Sequence, residues 1–415
     1  MPSSITWGLL LLASLCCLVP ASLAGGLQGD AVQDTDASEN NDKSASHKIA
    51  PNLADFAFSL YRQVARESHT SNVFFSPVSE AAAFALLSLG AKGGTHTQIL
   101  QGMNLNLKGL PESDTHQGLQ HILDPLYQPE HQDQLSSGTL LFIGQKLKKV
   151  HTFLESVRKR YHVEGFSINL TDAEAKKRIN GYVEKGTQGK AVGLVKGLDK
   201  DTALALVNSI LFHGQCMDTF EAERPVERDL RVDKKTAIKE PMTSHVGTFA
   251  LHQDQELCCW GLLQHLRGGV SAFLLLPRPG KMWQLEARLP QKHLSDILTA
   301  IDIRSASLHL PKLSISGTYD LVDVLGKMGI TKVFSHGADL SGISEETPLK
   351  LSQALHEAGL AIDENGTEHA GPTLEERDWF RHLTIKFNKP FLVIIMDKST
   401  NIPLFMGKMV NPMQN

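Results

Sequence analysis

Residues able to do chemistry are plentiful in this 415-residue chain, but few stand at a spacing that chemistry requires. Gly186-Thr187-Gln188-Gly189-Lys190-Ala191 has the glycines and lysine of a phosphate loop. Its glycine spacing is wrong, and Ala191 stands where a Ser or Thr would bind magnesium, so it reads as a helix end with its loop. The 18 histidines include no H-E-x-x-H pair and no Cys/His group at zinc spacing. No G-x-S-x-G elbow occurs, and nothing local groups Ser, His and Asp, so the chain is not expected to be an enzyme or to carry a cofactor or metal. One segment differs in kind. From Ile362 to Arg381 the chain starts like a strand, turns small and polar through Asn365-Gly366-Thr367, becomes charged at Glu375-Glu376-Arg377-Asp378, and ends in Trp379-Phe380-Arg381. It has three readings: a loop to be cut, a strand yet to form, or a surface connection.

The composition is that of a globular protein, with 41% apolar and 21% charged residues. A net charge of −4 argues against nucleic acid as partner. The basic clusters Lys146-Leu147-Lys148-Lys149 and Arg158-Lys159-Arg160 read as a solvated helix face. Trp7 to Val19 is almost wholly apolar but too short to span a membrane, and Ser22 and Ala24 suit cleavage after Ala24. Residues 1–24 are therefore expected to be a signal peptide, and the mature protein to be secreted, extracellular and off the membrane. Cys216, Cys258 and Cys259 then remain, an odd count that excludes a disulfide scaffold. Asn169-Leu170-Thr171 and Asn365-Gly366-Thr367 are glycosylation sequons.

Residues 25–50 are polar and poor in large apolar groups, which predicts a disordered tail. Order is expected from about Asn52, where Leu53, Phe56, Ala57, Leu60 and Val64 share a helical face. Further helical patterns cover about 78–90, 94–103, 115–126, 150–161 and 172–185. From about 203 the texture becomes that of buried strands, as in Ser271-Ala-Phe-Leu-Leu-Leu-Pro277 and Phe391-Leu-Val-Ile-Ile-Met396. Helices first and strands later, without β-α-β alternation, predict an α+β fold in one large domain over 51–415.

The last third carries a specific resemblance. Phe387-Asn388-Lys389-Pro390-Phe391 followed by Pro403-Leu404-Phe405-Met406-Gly407-Lys408-Met409-Val410-Asn411-Pro412 resembles the C-terminal signature of the serpins. Asn72-Val73-Phe74-Phe75-Ser76-Pro77, Val183-Glu184-Lys185-Gly186-Thr187 and Ile303–Tyr319 match the same family, in its antitrypsin-like branch (clade A). The resemblance runs from about residue 47 to 415. It implies three β-sheets, about nine helices and an exposed reactive-centre loop. A target serine protease would cut that loop and be held as an acyl-enzyme while the loop inserts as a new central strand. The resemblance assigns Glu364, Asn365, Gly366, Thr367, Glu368, His369, Ala370, Gly371 and Pro372 to the hinge. It places Ser76, Ser79, Asn208 and His356 in a polar cluster beneath the main sheet, and Lys312, Glu364 and Cys216 at the strand top.

Several residues depart from the family pattern. Inhibitory serpins carry small side chains after the Gly366-Thr367-Glu368 element; here His369 and Pro372 follow. Pro372 has no N–H, and proline is nearly excluded from central strands. Cys216 takes the place of a large ring, Gly359 interrupts a strand pattern, and Glu80 stands at an apolar position, where a buried charge is costly unless paired or protonated. The reactive bond is Phe380–Arg381 counted from the hinge, or Trp379–Phe380 counted back from Phe387. Either presents an aromatic residue to the protease, which suggests chymotrypsin-like targets. The expected state is a monomer.

Overall fold

The computed structural model describes residues 35–414 apart from 69, 125–133, 148–149, 171–173, 187–188, 190–191, 199–201, 218–220, 223–224, 234, 290, 345–348 and 364–382. Backbone contacts set Met1–Glu39 apart from Asn40–Asn415. Of the first unit only Thr35–Glu39 are described, as helix; the rest concerns the second.

Among the described residues the helices are α1 (Thr35–Glu67), α2 (Pro77–Ser88), α3 (Gly93–Gly102), α4 (Glu112–Leu123), α5 (Val150–Tyr161), α6 (Ala175–Gly186), α7 (Met282–Arg288), α8 (Gln291–Thr299) and α9 (Leu321–Lys327). The strands are β1 (Val73–Phe75), β2 (Leu135–Gly144), β3 (Glu164–Ile168), β4 (Leu204–Gln215), β5 (Glu221–Ala222), β6 (Val226–Arg231), β7 (Ala237–Asp254), β8 (Cys259–His265), β9 (Val270–Pro277), β10 (Asp302–Pro311), β11 (Ser314–Asp320), β12 (Gln353–Asp363), β13 (Leu383–Lys386), β14 (Phe391–Asp397) and β15 (Pro403–Met409). Six of these nine helices precede β4 and twelve of the fifteen strands run from β4 onward, a segregation in keeping with the α+β class expected, though β1 to β3 and α7 to α9 interrupt it.

The start of order is a correction. Helix α1 is helical from Thr35, within the segment 25–50 expected to be a disordered tail. Ala45, Ser46, Ile49 and Ala50 are buried. Ala45 and Ile49 lie against Gly118 of α4, where a Cβ would meet Ile49 at 2.9 Å and the Ala45 backbone at 3.0 Å. Pro51 lies inside α1 and removes one intrahelical hydrogen bond; burial of these small and apolar groups offsets that loss.

Hydrogen bonding joins the described strands into two continuous sheets rather than three separate ones. One runs β1-β15-β14-β9-β8-β7-β10-β13 with β5 and β6 also on β7; the other runs β11-β12-β4-β2-β3. The 18-residue β7 explains the count. Its first residues pair with β6 (Val226↔Met242 to Arg231↔Ala237) and its last with β8 (Ala250↔Leu263 to Asp254↔Cys259). Two of the three expected sheets are thus the two ends of one ribbon.

In the five-stranded sheet β12 pairs with β4 in parallel, from Gln353↔Ala205 to Asp363↔Gln215. Successive side chains alternate between faces. Ala354, Ala358, Leu360 and Ile362 enter the main core, whereas Leu355, with Ala205 and Val207 of β4, joins a smaller cluster with Ile179 and Val183 of α6. The seam is therefore packed on both sides.

Candidate functional site

Helix α2 begins beneath this seam. Ser76 is its N-cap, and the Ser76 Oγ accepts from the Ser79 N–H, while Pro77 fills the first turn where a missing N–H costs nothing. Every residue of α2 is buried, which forces its polar side chains to find partners inside the protein. The Ser76 hydroxyl donates to the Leu404 carbonyl at 2.8 Å. The Ser76 N–H donates to His356 Nε2 at 3.0 Å, and His356 Nδ1 lies 2.7 Å from Asn208 Oδ1. Ser79 Oγ donates to the same Asn208 oxygen at 2.9 Å, and Asn208 Nδ2 donates to Thr139 Oγ1 at 2.8 Å. Asn208 and His356 face each other across the parallel seam. The network thus ties α2, β2, β4, β12 and β15 through Ser76, Ser79, Asn208 and His356, the four residues the sequence grouped.

The pattern fixes the state of the imidazole. Nε2 accepts from a backbone N–H, so its lone pair is in place and the proton sits on Nδ1, donated to Asn208. Burial pushes the His356 pKa down to about 3, in keeping with a neutral ring. Glu80 Oε1 lies 3.5 Å from His356 Nε2, a distance that passes for an ion pair. The neutral ring excludes one. Glu80 is 1% exposed and its Oε2 has no hydrogen-bond partner. Burial raises its pKa well above the usual carboxylate range, as the charge cost inferred from sequence requires.

The opposite face of the seam is also polar. Glu357 and Ser209 stand directly across from each other, and Glu357 Oε2 and Ser209 Oγ are buried without partners. The Glu357 carboxyl is likewise raised by burial. Nearer the strand ends the Gln353 side chain donates to the Gly197 carbonyl at 3.0 Å, which ties the segment after α6 to β12. Gly359 has a reason to lack a side chain: a Cβ there would lie 2.6 Å from Cδ2 of Leu211, its partner across the seam. Beside it an open hollow of about 210 Å³ is lined by Leu211, His213, Ser314, Ser316 and Ala361 among others.

At the top of β4, Cys216 is buried and forms an isolated bridge with Leu266. None of Cys216, Cys258 and Cys259 is in a disulfide. Lys312 is exposed in the turn between β10 and β11. Its expected partner Glu364 lies outside the described residues, as do the other hinge residues Asn365, Gly366, Thr367, Glu368, His369, Ala370, Gly371 and Pro372 and the reactive-bond residues Trp379, Phe380 and Arg381. The flanks of that segment are described. Its N-terminal flank is the end of β12, in the five-stranded sheet, and its C-terminal flank is β13, which pairs with β10 in the other sheet. Asn169 is half-buried just past the end of β3. The sequence reading missed Thr139, Ser209 and Glu357. Their types carry no signal alone; only the strand register brings them to the seam.

The profile of the serpin (serine protease inhibitor) family matches residues 51–412. Alpha-1-antiproteinase of Ovis aries is 56% identical over 416 residues, covering 100% of both chains. Alpha-1-antitrypsin-related protein of Homo sapiens is 53% identical over 420 residues, also with 100% of both covered. Among solved structures, human thyroxine-binding globulin superposes with a TM-score of 0.80 at 37% identity, over 89% of this chain and 99% of that one. Uncleaved ovalbumin gives a TM-score of 0.81 at 29% identity, over 88% of this chain and 100% of that one.

Proposed function

Because the chain belongs to the serpin family, we propose that it presents residues 364–382 as a bait loop to serine proteases. Once cut, the N-terminal part of the loop enters the five-stranded sheet between β4 and β12. The observation that carries this reading is the placing of the flanks. One lies on the seam strand and the other on a different sheet, so cleavage frees the β12 end from its tether to β13. A chain returning from the end of β12 runs antiparallel to β12, and therefore to β4. Its entry replaces one parallel ladder by two antiparallel ones, and parallel pairing is slightly the weaker per residue. If roughly 14 residues each gain about 1 kcal/mol of net hydrogen bonding, the drive is on the order of 15 kcal/mol.

Along the inserted strand Thr367, His369, Gly371 and Thr373 share one face and Glu368, Ala370, Pro372 and Leu374 the other. Burying His369 without partners costs about 1–3 kcal/mol, and the carbonyl facing Pro372 loses a donor at a similar cost. Insertion stays downhill, but each 1.4 kcal/mol or so on its barrier slows it about tenfold. Trapping is a race between insertion and deacylation, so His369 and Pro372 favour the second outcome, in which the chain is cleaved as a substrate. Glycans at Asn365, on the hinge, and at Asn169 fit a secreted, extracellular protein; no described helix is long and apolar enough to cross a membrane. The bait bond is Phe380–Arg381, with Trp379–Phe380 as the alternative, for chymotrypsin-like proteases, and the chain acts as a monomer. Incubation with chymotrypsin tests both halves. The expected products are a minor SDS-stable complex and a major cleaved species, with the released C-terminal fragment starting at Arg381 or Phe380. Recovery of intact chain alone would overturn the bait-loop reading.

A further inference from the structure

The seam holds two carboxyls that nothing in the insertion scheme requires, Glu80, fully buried, on one face and the half-buried Glu357 on the other. We infer that these carboxyls make the closure of the β4–β12 seam proton-linked, so that the closed sheet loosens as pH rises, with Glu80 the dominant group. This rests on the reading above for its consequence, faster loop entry at higher pH, but not for its physical basis.

The groups around Glu80 carry the argument; α3, α4, α5 and β15, which also pack on α2, place no ion-pair partner on Glu80 among the described residues. Helix α2 supplies Glu80 itself, 1% exposed with Oε2 unpartnered. From β12 the group nearest is His356, 3.5 Å away, whose Nε2 is already engaged by the Ser76 N–H and has no proton to offer. From β11, Tyr319 stands near enough that the Glu80 charge contributes to raising its phenol pKa, after burial itself. Its hydroxyl accepts from the Phe74 N–H of β1 at 3.0 Å. From β4 comes Asn208, whose oxygen already accepts from Ser79 and His356. Among the described residues no lysine or arginine pairs with Glu80. An ionised Glu80 therefore has no counter-charge and must draw in water, which the closed seam excludes. On the other face Glu357 has only Ser209 opposite, and Glu357 Oε2 and Ser209 Oγ are unpartnered.

The sign follows from linkage. Burial holds the Glu80 proton to higher pH in the folded chain than in the unfolded chain. The stability this lends is complete below the ordinary carboxyl range and is lost as pH rises through the folded-state value. His356 acts in the opposite sense, because burial keeps it neutral when folded while the unfolded chain can protonate it, so its contribution to stability grows as pH rises from 5. That contribution is common to wild type and variant, so the difference between the two proteins is the quantity to read.

The test compares full-length wild type with Glu80→Gln, and Glu80→Gln with Glu80→Gln/Glu357→Gln, by urea unfolding followed by circular dichroism from pH 5 to 8. The expected result is that the unfolding constant of wild type rises relative to Glu80→Gln by at least tenfold between pH 5 and 8. Adding Glu357→Gln removes a smaller further dependence. A wild-type-to-E80Q ratio that stays constant across that range overturns the proposal. In parallel, a synthetic peptide of sequence 365–378 is offered to each protein and its incorporation timed. Incorporation at least threefold faster at pH 8 than at pH 5 in wild type, and equal in E80Q, is expected. No incorporation at any pH, with the urea result as expected, would sink the insertion reading and leave the proton linkage standing. If Glu80→Gln fails to fold, Glu80→Leu serves the same comparison.

Discussion

The seam between β4 and β12 and the block formed by β9, β14 and β15 are both deeply buried, yet they are built on opposite rules. In the block every pairing is antiparallel, and every residue of β9 and β15 is buried. Its one buried charge, Lys408, is matched by Glu286 at 2.9 Å and the Ser68 carbonyl at 2.9 Å. In the seam the pairing is parallel, and Glu80, Ser209, Gln353 and Glu357 each leave an oxygen without a partner. No residue of β9, β14 or β15 carries such an atom among the described residues. An unsatisfied buried polar group costs about 1–3 kcal/mol, so the seam concentrates local instability where the block avoids it. The molecule thus has one region shaped to stay shut and one that water or a strand can improve.

The predictions try this contrast from the largest effect to the smallest. Truncating the block, as in Phe405→Ala, removes a fully buried ring stacked on Phe74 at 5.6 Å and Phe212 at 5.7 Å. It should destabilise intact and loop-cleaved protein alike by about 3–5 kcal/mol. Breaking the seam network with His356→Ala should cost about 3 kcal/mol in the intact form, since it orphans the Ser76 N–H and opens a cavity. Here the cleaved form, in which the proposed insertion parts the seam, should lose less. Equal losses in the two forms for His356→Ala, measured by denaturant unfolding of each, would erase the proposed distinction. Replacing His369 and Pro372 together by Ala should raise the yield of SDS-stable protease complex about tenfold, equivalent to about 1.4 kcal/mol off the insertion barrier. Gly359→Ala should cost only about 1 kcal/mol, because the Leu211 side chain it meets can turn aside. The smallest effect is chemical: burial pushes the Cys259 thiol up to about 12, so at pH 8 iodoacetamide should modify the half-buried Cys258 and spare Cys259. Mass spectrometry reads the outcome.

Much of this was legible in the chain. Periodicity placed α2 to α6 within a few residues, and the uninterrupted apolar runs marked β9 and β14. The four residues Ser76, Ser79, Asn208 and His356 were grouped from matching positions, and in the structure they share hydrogen bonds. Three things were hidden. The first turns of α1 carry few large apolar residues, and their order depends on Gly118, which comes some seventy positions later. The joining of two sheets by β7 is a matter of pairing partners, which no local pattern states. The opposition of Glu357 and Ser209 needs the parallel register between strands far apart in sequence, and a one-residue slip would reverse every face. Gly359 was read as a weakness in its strand; the close approach of Leu211 shows it as the absence that lets the seam pack.

The central claim is that closed seam and uncut loop together hold free energy that cleavage releases. Thermal unfolding of protein nicked between Gly366 and Arg381, compared with intact protein at the same pH, tests it most directly. A drive on the order of 15 kcal/mol corresponds to a rise in Tm of about 15 °C or more for the nicked form. A nicked form that melts at the temperature of the intact one, or below it, would contradict the account.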